Sequence, residues 1–200
     1  MKKNLLIITW SILMQHNLAA QTKNGIENYN FLSTKEAYVW MPVIHHVSKK
    51  GFYTELRYNY EALKTASLYL GKSFTSGSKT KYTITPMMGL VMGDYNGGSL
   101  AANIDIEKEK IFASMQTQYT VNKDDRNGNF FFNWTELAYQ PVKWMYAGLS
   151  TQQTKNYNCR LQSDYGVLIG FLVNKFTIPV YVFNPLSSNR NFIIGVNTTW

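Results

Sequence analysis

Polar and apolar residues alternate with a period of two along most of this chain, and helical periodicity is nearly absent. In "FYTELRYNYE" one face carries Phe52, Thr54, Leu56, Tyr58 and Tyr60, and the other Tyr53, Glu55, Arg57, Asn59 and Glu61. In "LAANIDIE", Leu100, Ala102, Ile104 and Ile106 oppose Ala101, Asn103, Asp105 and Glu107. "RLQSDYGVLIGFLV" sets Leu161, Tyr165, Val167, Ile169, Phe171 and Val173 against Arg160, Gln162, Asp164, Gly166 and Gly170. Short turns rich in Gly, Asn, Asp, Ser and Lys separate these runs, as between antiparallel strands. Eleven candidate strands result: 36–46, 52–61, 66–75, 81–93, 100–107, 110–121, 129–140, 143–153, 159–173, 175–184 and 191–200.

Such alternation fits a soluble barrel or sandwich with its apolar face inside, and a transmembrane barrel with its apolar face on lipid. Three features favour the membrane. Many strands run to about ten residues, the length a tilted strand needs to cross a bilayer. Charged residues stand in mid-strand on the polar face. Aromatic residues of the apolar face are sorted by height. With the last strand descending towards the periplasm, Tyr58, Tyr60, Tyr119, Phe131 and Phe192 fall near the outer rim. Phe52, Phe74, Tyr82, Tyr139, Phe171, Phe176 and Trp200 then fall near the inner rim, which makes two interfacial belts. The same count makes the outer connections generally longer, as in outer-membrane barrels.

The N-terminus supports export. "MKKNLLIITWSILMQHNLAAQ" has a basic start, an apolar run from Leu5 to Met14 and a close on Ala19 and Ala20, the layout of a secretory signal peptide over residues 1–20. Residues 21–35 form an N-terminal segment in which "IENYNFLS" could supply a further strand, and 36–200 form the barrel. Bacterial single-chain barrels have even strand numbers. The expected fold is therefore an all-β antiparallel transmembrane barrel of about twelve strands, with ten as the alternative. Pro42, Pro86 and Pro179 lie inside candidate strands and demand local breaks, because proline has no N–H for the ladder.

The ending "NFIIGVNTTW" resembles the C-terminal recognition signal of bacterial outer-membrane β-barrel proteins. Phe192, Ile194, Val196, Thr198 and Trp200 carry the likeness, with Thr198 the weakest match. The resemblance implies an outer-membrane location in a Gram-negative bacterium. It also implies contact with outer-membrane lipid and lipopolysaccharide, and recognition by the barrel assembly machinery.

Composition adds little chemistry. The formal charge is +8, but no Lys/Arg block forms a nucleic-acid motif, so no nucleic-acid partner is expected. Cys159 is the only cysteine, which excludes an intramolecular disulfide. His45 and His46 are adjacent, point to opposite faces of a strand, and are poorly placed to share a metal ion. No catalytic, metal or cofactor site is expected.

The most informative residues are Glu55, Arg57, Asp105, Glu136, Arg160 and Asp164, all placed on polar faces. They are expected to share one lumen, with Arg57 and Arg160 pairing with carboxylates and largely closing it. A narrow channel for small solutes or a structural envelope role follows. The alternatives are a barrel enzyme acting on lipid or lipopolysaccharide, and a soluble exported ligand-binding barrel.

Overall fold

The computed structural model describes residues 22–33 and 37–200. The expected signal peptide at 1–20 lies outside the described residues. The strands are β1 (Lys23–Ser33), β2 (Val39–Val47), β3 (Phe52–Tyr58), β4 (Thr65–Lys72 continued by Phe74–Ser76), β5 (Lys81–Gly93) and β6 (Gly97–Lys108). They continue as β7 (Ile111–Asn122), β8 (Phe130–Val142), β9 (Met145–Asn156), β10 (Gln162–Val173), β11 (Phe176–Phe183) and β12 (Asn191–Thr199). Each pairs antiparallel with its neighbours in sequence, and β1 pairs with β12, so twelve strands close a barrel. The segment "IENYNFLS" lies in β1, which makes the strand number even.

The prolines explain the irregularities. β4 is broken at Ser73, although its register against β5 is unchanged from Leu70↔Met88 to Phe74↔Ile84. Across the break stands Pro86, with no N–H to offer the ladder. Ser73 compensates by donating its N–H to Gly51 O at 2.8 Å, and its hydroxyl meets that of Thr85 at 2.7 Å. The β11–β12 ladder is likewise interrupted at Ile178 and Pro179 and resumes in the same register at Val180↔Ile194. Pro179 is fully buried and faces Gly195, where an added Cβ would come within 2.6 Å of the proline ring. Pro42 lies one residue beyond the β2–β3 ladder, which begins at Val43↔Arg57.

Both termini sit at one rim, where Asn24 and Trp200 exchange backbone hydrogen bonds of 2.8 and 3.0 Å. Turns at this terminal rim are short, such as Glu109–Lys110 and Asn174–Lys175. Each starts on a left-handed residue, Glu109 at φ 53° and Asn174 at φ 55°. The opposite, loop rim carries the longer connections at 123–129 and 184–190.

Exposure decides inside from outside. Leu100 and Met88 are 66% exposed, Leu90 63% and Leu149 62%, and all point away from the barrel axis. Tyr82, Tyr119, Tyr139, Phe52, Phe74 and Trp200 are exposed on the same surface near the rims. A soluble barrel would bury this face. Here it forms the apolar band with aromatic girdles that a bilayer requires, and the protein is a membrane-spanning β-barrel. Among the described residues no helix is long and apolar enough to cross a membrane.

Candidate functional site

The lumen is filled from two sides. On one, β3 turns Tyr53, Glu55 and Arg57 inward, because alternate residues of a strand share a face. Arg57 is 3% exposed. Its Nε lies 2.5 Å from Glu55 Oε1, and its Nη1 lies 3.3 Å from Glu61 Oε1. Nη1 also donates to Gln118 Oε1 on β7 at 2.7 Å, a reach four strands around the wall. The guanidinium lies over the rings of Tyr60 and Tyr69, 4.5 and 4.3 Å from their centroids. Tyr53 donates its hydroxyl to Glu55. Ser67 and Tyr69 on β4 donate to the Glu61 carboxylate at 2.7 and 2.8 Å. Each buried charge therefore has an opposite charge and further hydrogen-bond partners, the condition under which burial is tolerated.

The other side is aromatic. Trp134 on β8 packs with its ring centroid 5.1 Å from that of Tyr181 and 6.4 Å from that of Phe183, both on β11. It also meets Tyr29 of β1 at 5.4 Å. β1 and β8 are five strands apart around a wall of twelve, so this contact bridges the lumen. The Trp134 indole N–H is satisfied by the Ser150 hydroxyl at 2.8 Å. Leu168 and Ile193 complete the buried cluster.

Between the two sides runs a polar seam. Glu27 accepts from the Tyr29 hydroxyl at 2.8 Å, and its other oxygen stands 3.6 Å from His45 Nδ1. Glu136 on β8 is reached by Tyr181. Asp105 on β6 shares the lumen-facing register with Asn103. Glu27, Asp105 and Glu136 lie within electrostatic reach of one another.

The connection between β3 and β4 folds into the barrel mouth. Tyr60 donates to Gln116 Oε1 at 2.6 Å and meets the Phe132 ring edge-on at 5.9 Å. Tyr60 and Glu61 help line a cavity of about 400 Å³, together with Phe31, Met41, Phe130 and Phe132, among others.

Four expected lumen residues, Glu55, Arg57, Asp105 and Glu136, face inward, and only Glu55 and Arg57 touch directly. Asp164 takes the inward register at the loop rim, where Asn184 Nδ2 donates to it at 2.6 Å, remote from Arg57. Arg160 departs from the expectation. It lies before β10 begins, in an exposed turn, so it has left the lumen face before its side chain could reach a carboxylate there. Leu161 sits beside it at the rim. Tyr60, expected on the outer belt, is folded inward, because alternation no longer applies once the strand has ended at Tyr58. Glu61, Tyr69, Gln118 and the Trp134–Tyr29 bridge went unrecognised as site residues. No periodic signal marks Glu61, because it lies beyond the end of β3. His45 faces inward and His46 outward, where its ring lies 2.8 Å from Asn24 Oδ1. Phe192, Ile194, Val196 and Thr198 take the outward register of β12, with Trp200 exposed just beyond it.

No protein-family model matches the chain, and no curated protein matches it. Solved structures do. The KdgM porin in complex with disordered oligogalacturonate superposes with a TM-score of 0.66 at 13% identity, covering 88% of this chain and 99% of that one. The NanC porin gives 0.65 at 9% identity, covering 86% and 98%. OccAB4 of Acinetobacter baumannii gives 0.51 at 9% identity, covering 86% of this chain and 56% of that one. At these identities the likeness describes the fold.

Proposed function

We propose that this chain is a narrow channel for small solutes in the outer membrane of a Gram-negative bacterium, with its terminal rim towards the periplasm. The observation that carries the reading is the inward-folded β3–β4 connection. It seats Tyr60 and Glu61 inside a membrane-spanning barrel, in the wall of a cavity of about 400 Å³. A purely structural barrel has no need of a vestibule leading to a polar seam. The porin fold of the neighbours supports the same reading. Solute would descend past Tyr60, between the Arg57 cluster and the Trp134 cluster, along Gln116, Glu136 and Glu27.

Recording in planar bilayers tests this. The native protein is expected to give a small unitary conductance. Replacing residues 60–63 with two glycines is expected to raise it severalfold, since that connection narrows the mouth. No current from either protein, each shown to be folded by a heat-dependent shift on a gel, would overturn the channel reading in favour of a structural barrel.

A further inference from the structure

The lumen carries charge of nearly one sign. Between the rims five carboxylates face it, Glu27, Glu55, Glu61, Asp105 and Glu136, while Asp164 stands at the loop rim and Glu107 at the terminal rim. The cationic groups opposing them inside the wall, among the described residues, are Arg57, Lys81 at the terminal end of β5, which pairs with Glu107 at 3.7 Å and also bears on Asp105, and, when protonated, His45. Arg57 is already engaged by Glu55 and Glu61. No lysine or arginine forms an ion pair with Glu27, Asp105 or Glu136 among the described residues. These three come from β1, β6 and β8, strands spread around the barrel, so their charge surrounds the seam.

The excess of basic residues in this +8 chain lies elsewhere. Lys49, Lys50, Lys79, Lys110, Lys143 and Lys175 occupy turns of the terminal rim. Where lysines near this rim have a ring partner, the ring belongs to the outer wall. Lys72 stands 5.8 and 5.5 Å from the centroids of Phe52 and Phe74, and Lys175 5.7 Å from that of Phe176. They lean towards the membrane interface and away from the bore.

Resting on the channel reading, we infer that the bore selects small cations and rejects anions, sugar acids included. The rim lysines act through water at a wide mouth, where salt screens charge within about 10 Å at 0.1 M. The carboxylates act inside a low-dielectric wall that focuses their field on whatever passes, so the bore decides. Rings of carboxylates give cation channels their preference in the same way. The contrast with the neighbouring porin bound to oligogalacturonate is direct: that ligand is a polyanion, and this seam would repel one.

The test is the reversal potential of the full-length protein in a planar bilayer under a tenfold KCl gradient, paired with liposome swelling in glucosamine and in galacturonate. Potassium is expected to permeate severalfold better than chloride, and glucosamine to enter faster than galacturonate. In the triple variant Glu27→Gln, Asp105→Asn, Glu136→Gln both preferences are expected to fall to near unity. Should the triple variant fail to fold, Asp105→Asn alone removes an exposed carboxylate that forms no ion pair among the described residues, and is expected to lower the potassium preference in part. A measurable current with a reversal potential at zero or on the chloride side would overturn the inference and leave the channel reading standing. So would a preference that none of these substitutions changes. The absence of any current from the native and loop-shortened proteins would remove the channel reading, and the inference with it.

Discussion

Arg57 on β3 and Trp134 on β8 stand five strands apart around the wall, and each anchors one side of the lumen filling. Around Arg57 the space is filled by a charge, two carboxylates, a carboxamide and three phenols, all tied by directional bonds. Around Trp134 it is filled by rings at centroid distances of 5.1–6.4 Å and a single indole hydrogen bond. A charged group is costly to bury and cheap only while its partners stay, so on the first side a single deletion costs most where it removes the one cation. Aromatic packing loses area and gains a cavity in proportion to what is removed, so the second side degrades gradually. The charged side holds the folded-in connection, and the aromatic side is built wholly on strands.

The largest effect expected from breaking this contrast is at Arg57. Arg57→Ala leaves Glu55 and Glu61 buried without a cation and should cost about 3–5 kcal/mol. Equilibrium urea unfolding of the barrel in detergent measures it. If the same loss is seen for a quadruple variant in which Arg57, Glu55, Glu61 and Gln118 become apolar residues of similar volume, the stranded-charge explanation is wrong, because joint replacement should recover most of the stability. Trp134→Ala should cost about 3 kcal/mol by cavity formation and should also widen the conductance path, since it removes the bridge to Tyr29. A tryptophan variant with unchanged conductance would mean that the bridge does not narrow the bore.

Smaller changes sharpen the comparison. Ile104→Arg tests the outer wall, which both sides share. It should cost about 2 kcal/mol in the same unfolding experiment if the residue lies near the midplane, whereas Arg at neighbouring lumen-facing Asn103 should cost much less. Ser150→Ala orphans the buried indole N–H and should cost about 1–2 kcal/mol, with little effect on Arg57-dependent properties. Deleting Trp200 should change unfolding least. Its expected effect is on assembly: less protein reaching the outer membrane in cell fractionation, with near-normal stability of what does assemble. Normal membrane levels would count against a recognition role for Phe192, Ile194, Val196, Thr198 and Trp200.

Much of the fold was legible because a strand in a bilayer barrel has one lipid face and one lumen face, and that division is written every second residue. Leu100 and Ile104 face out and Glu55, Arg57 and Glu136 face in for this reason alone. The prolines announced their breaks by the missing N–H, although for Pro86 the break fell on the neighbouring strand at Ser73. Alternation stops carrying information where a strand stops. Tyr60 and Arg160 lie just past strand ends, and the rule that worked for Tyr58 and Asp164 misassigned both.

Facing and turn position were thus decided locally, by residue pattern and turn chemistry. Which lumen residues meet was decided only by closure of the barrel. Tyr29 and Trp134 are distant in sequence and become neighbours because β1 pairs with β12 and the wall curves round. Arg57 reaches Gln118 for the same reason, and Glu61 enters the lumen because a connection, free of the strand's two-residue period, can turn towards a buried cation that lacks a second carboxylate. Contacts across a bore depend on its radius and shear, which belong to all twelve strands together and to no segment of the sequence.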